Sequence, residues 1–191
     1  MYPPIALREL VANAIVHQDF YEKGDGPLIE IYEDRIEIVN TGLPTIQTNR
    51  FIDEFQSRNE ILADLMRRLR ICEELGSGID RVISQVEIFQ LPAPKFLEQE
   101  KHTRAIMYEH KELNDMDKED KIRACYQHCC LKHVSNLSTT NQTLRERFKI
   151  DEANSAIVSR IIKDTIDAKF IKPEYPESSS RKFSRYVPFW A

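Results

Sequence analysis

Glu9, Asn13 and His17 fall four residues apart. On a helix that spacing stacks a carboxylate, an amide and an imidazole along one edge. An amide oxygen is a hard ligand for Mg²⁺ carried on a phosphate chain, and a carboxylate one turn earlier can orient or deprotonate an attacking water. The same stripe also describes the solvated edge of an ordinary core helix, and spacing alone leaves both readings open. Gly76-Ser77-Gly78 enters a second helical pattern, where free N–H groups can meet phosphate. A simple turn between two helices would use the same glycines. No Gly-Lys-Ser/Thr follows, which excludes a Walker A loop, and no strand directly precedes, which excludes a dinucleotide fingerprint. Without such a loop the chain is not a helicase motor by itself.

Two further clusters carry possible chemistry. Cys125, Cys129 and His133 recur at successive helical turns, with His128 nearby. Thiolate and imidazole on one face suit Zn²⁺, but the pattern lacks paired short-loop spacing and a buried cysteine is also a small apolar residue. Asn154, Ser155, Ser159, Arg160 and Lys163 share a helix with polar and cationic types that read base edges and phosphates. Arg181, Lys182 and Arg185 flank Ser178-Ser179-Ser180 and suit backbone phosphates. Asp151, Glu152, Asp164 and Asp167 crowd the same helix, so a dimerisation or docking module is the competing reading.

The chain has 191 residues and a net charge of -4, so any nucleic-acid surface must be local to one part. Its length suits one large domain or two small ones. No apolar run approaches a membrane span and no signal peptide opens the chain, so the expectation is a cytoplasmic protein without a membrane partner. Three of the four cysteines share one helical pattern, which points to reduced thiols. The start is abrupt and reads like a piece of something longer.

The elements that must position these residues follow from periodicity. Leu7, Leu10, Val11, Ala14 and Ile15 make an amphipathic helix behind Pro3 and Pro4. Residues 28–32 and 35–39 alternate as a hairpin, with Ile29, Ile31, Ile36 and Ile38 on a buried face and Glu30 and Glu37 on a wet one. An irregular stretch to Gln56 reads as a lid. Ser57, with Glu60 completing a capping box, opens a helix to about Arg70, whose cationic end suits a helix C-terminus. A helix over 79–89 and strands over 95–99 and 104–108 complete an α+β sandwich. A charged linker follows, then helices over 119–133, 141–148 and 153–169 and two strands around 170–172 and 185–187. Ile157, Ile161 (or Val158), Ile162 and Ile166 are expected to face inward on the third helix. Three helices and a ribbon spell a winged helix-turn-helix.

Glu9 and Asn13 resemble the N-box of the GHKL, or histidine-kinase-like, ATPases. By that resemblance Glu9 is the catalytic base, Asn13 the Mg²⁺ ligand on ATP, and Gly76, Ser77 and Gly78 a glycine box for phosphate. Asn40 and Gly42 would frame adenine, in a turn where Pro44 replaces the family's second glycine. Leu7–Phe20, the strands into Asn40-Thr41-Gly42-Leu43-Pro44, Ser57-Arg58-Asn59, Glu73–Ile79 and Arg185–Ala191 together resemble the bacterial RecG-related transcriptional regulators. The resemblance implies a reduced GHKL sandwich over 1–111 and a winged helix over 112–191, behind an upstream AlbA/Schlafen-type domain. It implies ATP and Mg as cofactors and His17 and Arg58 at the nucleotide. It also implies double-stranded DNA as partner and a homo-oligomer. The alternative is a non-catalytic dimerisation scaffold whose nucleotide site is degenerate.

Overall fold

The computed structural model describes residues 1–23, 26–72, 76–175 and 184–191, in two compact units, Met1–His110 and Lys111–Ala191. The first unit opens with α1 (Pro4–Val16), whose Pro sits in the first turn where a missing N–H is harmless. Strands β1 (Leu28–Ile31) and β2 (Arg35–Thr41), helices α2 (Glu60–Arg68) and α3 (Gly78–Ile88), and strands β3 (Lys95–Gln99) and β4 (His102–Tyr108) follow. The sheet runs β1-β2-β4-β3, antiparallel throughout. Ala6, Leu10 and Ala14 of α1 and Val82 and Val86 of α3 pack on Ile36, Ile38 and Met107 of the sheet. Each large aliphatic side chain buried there contributes about 1.5–3 kcal/mol of transfer free energy. That layer fixes the roll of α1 and hence the direction of its polar edge.

Several sequence expectations are corrected. Ile29 and Ile31 share a sheet face with Ile38 and Ile36, yet are 47% and 78% exposed. The edge strand β1 projects past the helix layer. Glu37 is buried rather than wet, because Arg35 Nε donates to it at 2.6 Å and Arg104 reaches it from β4. Ser57 does not cap α2. Asn59 holds the cap position, and its Nδ2 instead donates to the Val16 and Gln18 carbonyls at 2.8 and 2.7 Å.

The second unit contains α4 (Lys118–Val134), α5 (Asn141–Phe148), α6 (Ser155–Asp167) and the antiparallel pair β5 (Ile171–Pro173) and β6 (Tyr186–Pro188). Asp117 caps α4 by accepting from the Asp120 N–H, and Thr140 with Thr143 forms a capping box on α5. Glu152–Asn154 is a separate 3₁₀ turn, so α6 begins later than the apolar spacing predicts. Val158, Ile161, Ile162 and Thr165 face the core, whereas Ile157 is exposed, one position off the inward stripe. Cys125, Cys129 and Cys130 are buried. Burial pushes the Cys125 and Cys129 thiols up to about 12. Cys129 donates to the Tyr186 carbonyl, His133 meets the Trp190 ring edge-on, and His128 Nε2 lies 3.1 Å from Thr143 Oγ1. These groups are spent on packing, and among the described residues no His, Cys, Asp and Glu cluster is placed to hold a metal ion.

Candidate functional site

The polar edge of α1 opens onto a cleft in the first unit. Glu9, Asn13 and His17 line it from α1, Asn40 from the end of β2, and Gly76 and Gly78 from the approach to α3. Glu9 is only 1% exposed, and its Oε1 accepts from Arg8 at 3.1 Å. Its other oxygen faces Gly78: a Cβ there would lie 3.3 Å from Glu9 Oε2 and 3.6 Å from Asn13 Nδ2. The absent side chain thus leaves the acid and amide open to the first amides of α3. A carboxylate, an amide and a helix N-terminus converge on one spot. That set suits a phosphate chain carrying its own divalent cation.

Asn40 is 6% exposed. Its Nδ2 donates to the His17 and Thr41 carbonyls, both at 3.3 Å, while Oδ1 accepts no hydrogen bond from any described residue. An amide oxygen so held offers an acceptor to the cleft. The frame around it is tight. Gln18 Oε1 accepts from Thr41 N at 3.0 Å, and Thr103 Oγ1 donates to the Gly42 carbonyl at 2.7 Å. Burial and the nearby Arg58 guanidinium push the His17 imidazole down, so it faces the cleft uncharged at neutral pH.

Gly42, Arg58 and Ser77 do not line the cleft. Gly42 has φ +109°, and a Cβ there would meet the Asp19 Cβ at 2.9 Å. Arg58 lies over that turn, with Nη1 on Asp19 at 2.8 Å and Nη2 on the Leu43 carbonyl at 2.5 Å. Its guanidinium braces the loop after β2. The sequence reading missed Arg67, which lines the cleft while paired with Asp64 at 3.1 Å. Also missed were Phe51 and Phe96, whose rings meet edge-to-face at 5.3 Å and form an apolar wall. Phe55 closes the other side: a Cβ on Gly76 would come within 2.9 Å of its ring.

Asp80, in the first turn of α3, has its Oδ1 buried without a hydrogen bond. Burial, reinforced by Asp53, pushes its carboxyl up to about 6. A raised acid pKa favours the fold below the unfolded value of 3.8, and that contribution is lost as pH rises through about 6. Asp80→Asn is therefore expected to stabilise the protein at pH 8 by about 1 kcal/mol, after discounting for solvent access. The gain should vanish in urea melts near pH 4, and an equal gain at both pH values would refute this origin.

In the second unit Asn154, Ser159, Arg160 and Lys163 are exposed along α6 and Ser155 is half-buried. Ser159 Oγ donates to the Ser155 carbonyl and accepts from Asn141 Nδ2 at 3.1 Å, so it ties α6 to α5. Lys118 pairs with Asp164 at 3.0 Å and offsets one of the acids on this helix. Arg185 is exposed beside β6, whereas Arg181 and Lys182 lie outside the described residues.

An antiparallel sheet backing two helices makes the first unit an α+β domain, an architecture consistent with an ATPase-like one. Residues 24–107 match the family described as "Putative ATP-dependent DNA helicase recG C-terminal", which supports a RecG-related ATPase-like domain. The match begins after α1, so Glu9 and Asn13 lie outside it. No curated protein matches the sequence significantly. Among solved structures the chain is similar to the DIP2311 protein from Corynebacterium diphtheriae, at 14% identity and a TM-score of 0.56. The likeness covers 98% of this chain and 40% of that one, and at this identity it speaks to fold alone. No described helix is long and apolar enough to cross a membrane.

Proposed function

We propose that the first unit binds Mg·ATP in this cleft and that the second is a winged helix contacting double-stranded DNA. The chain would then be the C-terminal portion of a DNA-binding transcriptional regulator. The observation that carries the nucleotide reading is the convergence of Glu9 Oε2 and the Asn13 amide on Gly78 at the start of α3. Asn13 would supply one oxygen to a cation that arrives on the triphosphate, which needs few protein ligands. Glu9 would hold or accept a proton from the attacking water, the first amides of α3 and Arg67 would take phosphate charge, and Asn40 Oδ1 would accept from the base amino group. Bound Mg²⁺ would neutralise phosphate charge.

The enclosed part of the cleft holds about 150 Å³, below the ~300–1,000 Å³ of ligand pockets. Admission of a nucleotide therefore requires the Phe55 side of the lid to move outward. The same observation favours the second reading, a scaffold whose site no longer binds. Calorimetry with Mg·ATP and Mg·ADP separates the two. Micromolar binding supports the first, and no heat at millimolar nucleotide refutes it.

For the second unit, the exposed cations of α6 motivate a gel-shift prediction. Arg160→Ala/Lys163→Ala is expected to weaken duplex binding about tenfold and to flatten its salt dependence by about two counterions. Unchanged binding would remove α6 from the interface.

A further inference from the structure

Arg145 of α5 is half-buried, yet among the described residues no carboxylate pairs with it and neither of its Nη groups donates a hydrogen bond. Only its Nε is engaged, donating to Asn141 Oδ1, one turn earlier, at 3.2 Å. Asn141 is held in turn by α6, where its Nδ2 donates to the Ser155 carbonyl and to Ser159 Oγ, both at 3.1 Å. A carbonyl accepts only from a donor, so the amide nitrogen must face α6 and the amide oxygen is left for the guanidinium. Glu146, the acid of α5, accepts from Gln142 at 3.1 Å. Arg145 is therefore aimed from one side and keeps a fork of N–H donors on the other. Holding so long a side chain costs conformational entropy, and no internal ion pair among the described residues offsets it.

Position indicates which anion the fork meets. In a helix-turn-helix the first helix crosses the sugar–phosphate backbone while the second enters the groove. Here α5 takes the first place and α6 the second, and the exposed Lys149 and Lys163 stand one turn beyond Arg145 and Ser159. We infer that Arg145 clamps a backbone phosphate of duplex DNA and that Asn141 positions its guanidinium in register with α6. The inference rests on the DNA reading above and adds a contact from α5 to the α6 cations already named. Two parallel N–H donors match two phosphate oxygens, and a guanidinium already turned toward them loses less freedom on binding. Because the same amide holds α6, the phosphate anchor and the groove-facing helix keep one spacing.

Fluorescence anisotropy of the full chain on a labelled mixed-sequence duplex of about 30 base pairs, from about 50 to about 200 mM salt, tests this. Arg145→Ala is expected to weaken binding about tenfold and to lower the slope of log affinity against log salt by about one. Arg145→Gln, which keeps a donor where Nε stands, should do the same and decides the matter if Arg145→Ala misfolds. Asn141→Ala leaves the charge in place, so it should weaken binding about fivefold with the slope unchanged. Added to Arg145→Ala it should bring no further loss, because it acts through the arginine, whereas a merely structural loss would add. A wild-type chain that leaves the duplex free even at about 50 mM salt overturns the DNA reading and this inference with it. Wild-type affinity in both Arg145 variants, or an unchanged slope, overturns the phosphate clamp alone. Additive losses in the double variant overturn the positioning role of Asn141.

Discussion

Glu9→Gln is expected to leave Mg·ATP affinity within about threefold and to lower its hydrolysis by roughly 10²–10⁴. The amide keeps the size of the side chain and its contact with the space over Gly78, but it cannot take a proton from water. On the proposed reading Asn13→Ala, one turn on, removes an oxygen ligand rather than a base. It should weaken Mg·ATP by about 2–3 kcal/mol, or roughly 30–160-fold. The two residues therefore separate, one on turnover and one on affinity. Gly78→Ala adds a check that touches neither polar group. Its Cβ would stand 3.3 Å from Glu9 Oε2, a contact that fills the phosphate position while the local backbone tolerates alanine. Binding should fall with little change in melting temperature. Calorimetry and phosphate release read all three. If Glu9→Gln weakens binding as much as Asn13→Ala and leaves turnover untouched, the assignment of roles is wrong.

The helices were legible because their spacing is strict: Leu7, Leu10, Ala14 and their neighbours place α1 without reference to anything else. The strands were equally legible as strands, since Ile29, Ile31, Ile36 and Ile38 alternate with polar residues. Alternation reports which residues share a face, not whether a helix layer extends over it. Ile36 and Ile38 are covered and Ile29 and Ile31 are not, because β1 is an edge. Within the cleft, the residues a turn apart on α1 could be read from spacing. Arg67, Phe51 and Phe96 could not, because they reach it from a helix end, the lid and a strand distant in sequence. Arg58 shows the reverse problem. A guanidinium beside a lid is chemically suited to phosphate, but its neighbours Asp19 and the Leu43 carbonyl claim it first. Competition of that kind is set by chain geometry, and no local pattern encodes it.

Glu37 is the clearest case, and its replacement is expected to cost the first unit as much stability as truncating a core aliphatic side chain. It sits on β2 at 3% exposure, with Arg35 two residues away on one carboxylate oxygen and Arg104 of β4 on the other. Arg104 stands opposite Val39 in the β2–β4 register, which puts its side chain on the same sheet face as Glu37. The carboxylate holds two guanidinium groups that are 32% and 29% exposed. Glu37→Ala strips both of their shared counter-charge and leaves a gap in the sheet face. Partial hydration of the arginines softens the loss, so about 2–4 kcal/mol is expected in urea melts. Most of that cost is the stranding of charge rather than the worth of the bridge. Glu37→Met/Arg104→Met, which removes the inner pair and fills the space with apolar volume, should therefore recover much of it, because Arg35 can still turn to Asp34, 2.9 Å away, and to water. Should the double variant be no more stable than Glu37→Ala, the bridge contributes net stability of its own, and the sheet depends on it for more than the neutralisation of two arginines.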